Sequence, residues 1–221
     1  MIVALVSQKG GCGKSTLAIS LAVEWHRRGF RTLLVDADPQ GTALAWGEVA
    51  AEKGRKGPTV IAMGDNLRAD LPGLSKGYEV TVIDTPGRQS KRTIGALVRA
   101  DLALIPCGPS PADLWALGET VELVQGVEEL RPDLLTAIVV NGDQKRTALS
   151  KATKKAVAAA GYPVLGASLG QRVAFAEAVA AGKGVTSIRD GGMAANELRR
   201  VADEIESMVE EAKGEGAAHV A

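Results

Sequence analysis

No stretch of about 18 consecutive apolar residues occurs anywhere in the sequence, so no segment of it can cross a bilayer as a helix. Cysteine is scarce. Cys12 and Cys107 stand alone with no CxxC spacing, which excludes a disulfide scaffold and fits a reducing cytoplasm. Neither charge is in excess, since 26 Lys+Arg face 26 Asp+Glu, and this argues against a chain coated in basic residues for bulk nucleic-acid binding. The opening run MIVALVSQKGG is too short for a signal peptide and meets a Gly-rich loop at once, so no export is expected. No internal repeat or Pro-rich linker divides the chain. What remains is 221 residues at 46% hydrophobic content, which suits one α/β domain with its own core and rules out extended disorder and a collagen-like repeat.

Short β-branched runs alternate with longer stretches of helical periodicity. Strands are expected at Ile2 to Val6, Thr32 to Val35, Thr59 to Ala62, Glu79 to Ile83, Leu102 to Ile105, Leu135 to Val140 and Pro163 to Ala167. Helices are expected to begin near Ser15, Thr42, Asn66, Lys91, Pro111, Arg146 and Val173, with a last one from Met193 to Lys213. Several strands are apolar without alternation, as when both faces are buried. The pattern predicts an α/β fold: a mostly parallel twisted sheet with helices on both faces. One domain should fill residues 1–213, with 214–221 (GEGAAHV and a final Ala) fraying.

The most specific motif is Lys9-Gly10-Gly11-Cys12-Gly13-Lys14-Ser15-Thr16, set between the first strand and a helix. Glycines let the backbone curl until several N–H groups converge on a phosphate beside a helix N-terminus. Lys14 then brings positive charge, and Ser15 brings a hydroxyl for Mg²⁺. The strict P-loop pattern has glycine where this chain has Gln8, and here a second lysine, Lys9, precedes the glycines. Asp84 ends an apolar strand, where a carboxylate is costly unless it serves a ligand such as a water of the Mg²⁺ shell. Asp36 and Asp38 end the neighbouring strand, at the carboxyl edge where open α/β sheets bind ligands, although either could simply form the turn before Pro39.

The loop with its extra lysine resembles the deviant Walker A motif of the ParA/MinD superfamily of P-loop ATPases. Asp36-Ala37-Asp38-Pro39-Gln40 looks like that family's switch I, Asp84-Thr85-Pro86-Gly87 its Walker B and switch II, and Pro106 to Asp113 its proline-rich loop. A weaker likeness continues through Asn141 and the segment Gln171 to Ala178. The resemblance implies an ATPase using ATP and Mg²⁺, with the phosphates held by Lys9, Gly10, Gly11, Cys12, Gly13, Lys14, Ser15 and Thr16, and the metal by Ser15, Asp84 and Asp36. It implies that Asp38 orients the attacking water and that Lys9 reaches across an ATP-dependent homodimer to the partner's nucleotide. It also implies that Asn141 reads adenine; its side-chain amide matches the N6/N7 edge, while Asn141-Gly142 is equally a turn signal.

Zero net charge hides a segregation. From Gln144 to Ala176 there is no acidic residue, while Lys145, Arg146, Lys151, Lys154, Lys155 and Arg172 are basic; from Asp203 to Glu215 the sign inverts. Such a basic stretch can neutralise several phosphates and bind DNA without regard to sequence. ParA-like proteins bind DNA through this part of the fold, and Lys183, Arg189, Arg199 and Arg200 are further candidates. The resemblance is to short ParA proteins without an N-terminal DNA-binding extension, nucleoid-associated in the cytoplasm and acting in plasmid partition, chromosome segregation or positioning of a protein cargo. A ParB-like or adaptor partner would stimulate slow hydrolysis. A MinD-like membrane ATPase would need a basic amphipathic C-terminal helix, which the acidic tail VEEAKGEG does not supply. An iron–sulfur ATPase lacks the four cysteine ligands, and a P-loop small-molecule synthetase would need a substrate pocket.

Overall fold

The computed structural model describes residues 1–144, 147–188 and 192–218. Seven strands form one sheet in the order β3-β2-β4-β1-β5-β6-β7, every neighbouring pair parallel. They are β1 (Ile2–Leu5), β2 (Thr32–Asp36), β3 (Thr59–Ala62), β4 (Val80–Asp84), β5 (Leu102–Cys107), β6 (Leu135–Asp143) and β7 (Leu169–Gly170). The helices between and after them are α1 (Lys14–Arg27), α2 (Thr42–Glu52), α3 (Leu67–Ser75), α4 (Lys91–Arg99), α5 (Pro111–Glu128), α6 (Ala148–Ala158), α7 (Val173–Ala180) and α8 (Gly192–Ala218). Because successive side chains point to opposite faces of a strand, β1 splits its residues between two cores. Val3 and Leu5 pack with Leu17, Trp25, Leu198 and Val201 on the α1 and α8 side, while Ala4 and Val6 pack with Leu67, Leu97 and Leu117 on the α3, α4 and α5 side. Burial on both faces is why these strands carry no polar alternation.

The expected strand at Pro163 to Ala167 does not form. Pro163 has no N–H to donate, and only one bridge, Val164 to Ile138, joins this segment to the sheet. The N–H groups of Gly166 and Ala167 are satisfied instead by the Glu204 carboxylate of α8, at 2.7 and 2.8 Å. The seventh strand is the shorter β7, paired with Asn141 and Asp143 of β6. Nor do Asn141 and Gly142 make a chain-reversing turn: β6 runs through them with a register shift, and Gly142 takes the left-handed φ of 72° that the irregularity requires. The helix expected near Arg146 starts at Ala148, capped by the Thr147 side chain, which accepts from the Ser150 N–H. The last helix continues to Ala218, five residues past its expected end.

Candidate functional site

Parallel strands aim all their carboxyl ends the same way, so the loops after β1, β2, β4, β5 and β6 meet along one edge. In the middle lies the loop from Ser7 to Gly13. Gly13 caps α1 at φ 89° with no side-chain cap, so the first N–H donors of the helix face the loop's hollow. The Gln8 backbone N–H donates to Thr120 Oγ1 of α5 at 3.0 Å, which anchors the loop where the strict motif would have glycine. Lys14 is buried and folds over the loop, its Nζ donating to the Lys9 carbonyl at 3.0 Å. Ser15 and Thr16 follow in the first turn of α1. Gly87, after β4, rests on the loop from the other side; a Cβ there would lie 3.0 Å from the Gly10 nitrogen, so a side chain would push the loop backbone away.

Register brings the carboxylates together. Asp84 lies opposite Leu5 of β1 and opposite Asp36 of β2. Asp84 is fully buried, and neither carboxylate oxygen has a hydrogen-bond partner of acceptable geometry. Burial pushes its pKa up to about 7, with the Ser15 hydroxyl and Lys14 pulling the other way and Asp36 and Asp38 adding to the rise. A buried carboxylate without a partner beside a hydroxyl and a phosphate loop suits a hydrated divalent cation, so these residues fit Mg²⁺. Asp36 is differently employed: Oδ2 accepts from the Leu44 N–H at 2.8 Å and Oδ1 from the Asp38 N–H at 3.1 Å, so it holds the turn and the start of α2. Asp38 is half-buried, accepts from the Gln40 N–H at 3.0 Å, and lines a 730 Å³ cavity with Gly10 and Gly87.

The raised pKa of Asp84 has a stability consequence. At Asp84 the native state keeps a proton that the unfolded chain releases near 3.8, so the penalty for burying this group is absent at low pH and grows as pH rises towards about 7. Asp84→Asn removes the charge, and urea unfolding of the nucleotide-free protein should show the variant more stable at pH 8 by roughly 2 to 4 kcal/mol. The gain should vanish near pH 4. A pH-independent difference would contradict the assignment.

Lys9 is held by α5 at the rim of the cleft beside its own loop. Its Nζ sits 2.6 Å from Asp113 Oδ1 and 3.4 Å from Ser110 Oγ, at the N-terminus of α5. Asp113 also completes a capping box with Ser110. Burial pushes the Asp113 pKa up, but hydrogen bonds from Lys9 and Ser110 outweigh this and hold it below the ordinary range. Cys107, just before, is kept a neutral thiol by burial, its pKa pushed up to about 12.

Asn141 lies against the phosphate loop. Its Nδ2 donates to the Cys12 carbonyl at 2.7 Å, and a Cβ on Gly13 would fall 2.4 Å from that nitrogen, so a side chain at 13 would displace the Asn141 amide as well as strain the left-handed backbone. The 390 Å³ cleft beside it runs from Lys9 and Gly11 past Asn141 to Arg172 and Phe175.

The basic stretch fares unevenly. Lys145, Arg146 and Arg189 lie outside the described residues. Lys151 and Lys155 are exposed on α6. Lys154 pairs with the buried Asp143 at 3.3 Å, and Arg172 makes two bonds to Glu197, at 2.9 and 2.8 Å. Asp143 and Glu197 flank the acid-free stretch in sequence, one just before it and the other well after, and the fold returns both to it. Arg199 is bonded to Asn196, Arg200 is exposed, and Lys183 is half-buried. Asp113 was legible as part of a motif but not as the partner of Lys9, and Glu197 carried no sequence signal at all.

The sequence profile of the "CobQ/CobB/MinD/ParA nucleotide binding domain" matches residues 3–185. The "Maintenance of carboxysome distribution protein A" of Halothiobacillus neapolitanus is 31% identical over 205 residues, covering 91% of this chain and 94% of that protein. The "Chromosome-partitioning ATPase Soj" of Thermus thermophilus is 31% identical over 244 residues, with coverages of 95% and 97%. Among solved structures, the septum site-determining protein MinD of Pyrococcus horikoshii, complexed with Mg-ADP, superposes with a TM-score of 0.72 at 19% identity, over 96% of this chain and 98% of that one.

Proposed function

Since the chain belongs to the CobQ/CobB/MinD/ParA nucleotide-binding family, we propose that it is an ATP-driven positioning switch: it binds ATP with Mg²⁺, dimerises, holds non-specific DNA, and releases it after hydrolysis. One observation carries this reading. Two lysines share the loop, yet only Lys14 folds over it, while Lys9 is engaged by Asp113 of α5 at the rim of the cleft. With Lys14 already over the loop, a second lysine held by a carboxylate is available to another protomer's phosphates. A charge brought from one protomer to the phosphates of the other would stabilise the negative charge that gathers during transfer, as an arginine finger does.

In this reading the backbone from Gly10 to Thr16 and the Lys14 ammonium bind the phosphates, and Asn141 faces the base. Asp84, with Ser15, would hold the cation, which when bound neutralises phosphate charge. Asp38 orients a water towards the terminal phosphate. An adaptor protein of the ParB kind stimulates hydrolysis, and the cargo is a plasmid, a chromosome or a protein assembly. Among the described residues no helix is long and apolar enough to cross a membrane.

Lys9→Ala tests the two-lysine reading. Monomer nucleotide binding should stay largely intact, while the ATP-dependent dimer weakens by more than about tenfold, about 1.4 kcal/mol. Light scattering with ATP reads the outcome; a variant that dimerises like the parent would remove the basis for an action in trans.

A further inference from the structure

Arg55 and Lys56, in the loop after α2, meet Lys183, in the loop after α7, around one 160 Å³ cavity. These residues are distant in sequence, so only the fold gathers them. The rest of the lining is Trp46, Ser187, three glycines and small apolar side chains, with no carboxylate. Among the described residues, none of the three cations makes a side-chain hydrogen bond or ion pair. Gathering like charges at one cavity without an acid raises the Coulomb energy, and an anion relieves it. A groove across Arg55 contains Glu48, so an anion belongs on the Lys183 side.

The Lys183 loop is clamped. Gly182, at φ 67°, packs so tightly on α2 that a Cβ would lie 2.9 Å from the Ala50 nitrogen, and a Cβ on Gly184 would lie 2.6 Å from Val23 Cβ of α1. Trp46 Nε1 donates to the Lys183 carbonyl at 3.1 Å. On the other wall, the Gly54 and Arg55 N–H groups bond to the carbonyls of Ala51 and Ala50, at 2.8 and 3.0 Å, which closes α2 and turns Arg55 and Lys56 outward. With the backbone of both walls fixed, binding has only the three cation side chains to order.

The pocket lies away from the nucleotide cleft. The loop carrying Arg55 leads into β3, so it sits at the amino end of the strands, whereas the phosphate loop sits at the carboxyl end. Val23 is about 14 Å along α1 from Lys14, at 1.5 Å per residue. The cavity has less than half the 390 Å³ of the nucleotide cleft. We propose that the pocket of Arg55, Lys56 and Lys183 seats a phosphodiester of the DNA backbone. The proposal rests on the DNA-binding reading above and moves the principal contact away from Arg172 and Lys154, whose charges Glu197 and Asp143 engage.

The test is fluorescence anisotropy on a duplex of arbitrary sequence, with ATP, across a salt series. In Arg55→Gln/Lys56→Gln the phosphate contact of each pocket is lost, two per ATP dimer, so the slope of log K against log salt falls by about 1.8 and affinity at 0.15 M salt by about thirtyfold. ATP binding and ATP-dependent dimerisation should not change. Lys183→Gln should lower the slope by about 0.9, and the charge-conserving Arg55→Lys/Lys56→Arg should bind as the parent does. A double variant with parental affinity and slope overturns the pocket while leaving the DNA reading intact. A parent that binds no duplex in any nucleotide state overturns that reading and the pocket with it. Displacement of the duplex by inorganic phosphate at constant ionic strength would make this a free-anion site and overturn the backbone assignment.

Discussion

Replacing Lys14 by alanine is expected to weaken ATP binding by more than about a hundredfold, because truncating one partner of a buried charge pair costs about 3 kcal/mol or more. Lys14 is only 5% exposed, and its ammonium already reaches across the loop to the Lys9 carbonyl, where it lies beside any phosphate that the N–H groups of α1 would hold. Few other groups depend on it, so thermal stability without nucleotide should change little. A fluorescent-nucleotide titration decides the matter. Binding within about tenfold of the parent, less than 1.4 kcal/mol, would mean that another cation holds the phosphates.

Asp38→Ala should leave ATP binding in place and slow single-turnover hydrolysis by about 10² to 10⁴, the range for loss of a positioned acid–base group. With ATP uncleaved, the variant should accumulate as a dimer. The comparison that gives this meaning is Asp36→Ala. Asp36 accepts from the backbone of Leu44 and Asp38, so its loss should loosen the loop and lower stability together with activity. If instead Asp38→Ala cleaved ATP at the parental rate and Asp36→Ala was stable but inactive, the water-positioning role would belong to Asp36.

The order of the elements could be read directly, because periodicity reports which faces are buried. Runs such as Leu33 to Val35 and Val82 to Ile83 are apolar throughout because helices cover both sides of the sheet. The conformation of the glycine-rich loop from Ser7 to Gly13 was equally legible. Its chemistry is local, resting on glycines at successive positions and a lysine at the start of a helix, and local geometry is what a motif encodes. Even the carboxylates could be anticipated, since a charge ending an apolar strand announces a cost that something must offset.

What could not be read depends on which distant residues the fold returns to one place. Pro163 to Ala167 has a strand's composition, but its place in the sheet is lost to a missing proline N–H and a glutamate on α8, 38 residues beyond Gly166. Arg172 and Lys154 look free in a stretch without acids, yet Glu197 and Asp143 arrive from outside it. Lys9 advertises itself as a phosphate ligand, and only the packing of α5 beside the loop reveals that Asp113 engages it. The gathering of Arg55, Lys56 and Lys183 is likewise invisible along the chain. The sequence by itself determined backbone conformation and burial, which follow from neighbours a few residues apart. Tertiary structure alone decided which charges are already paired, because electrostatic pairing depends on distance in space and takes no account of separation along the chain.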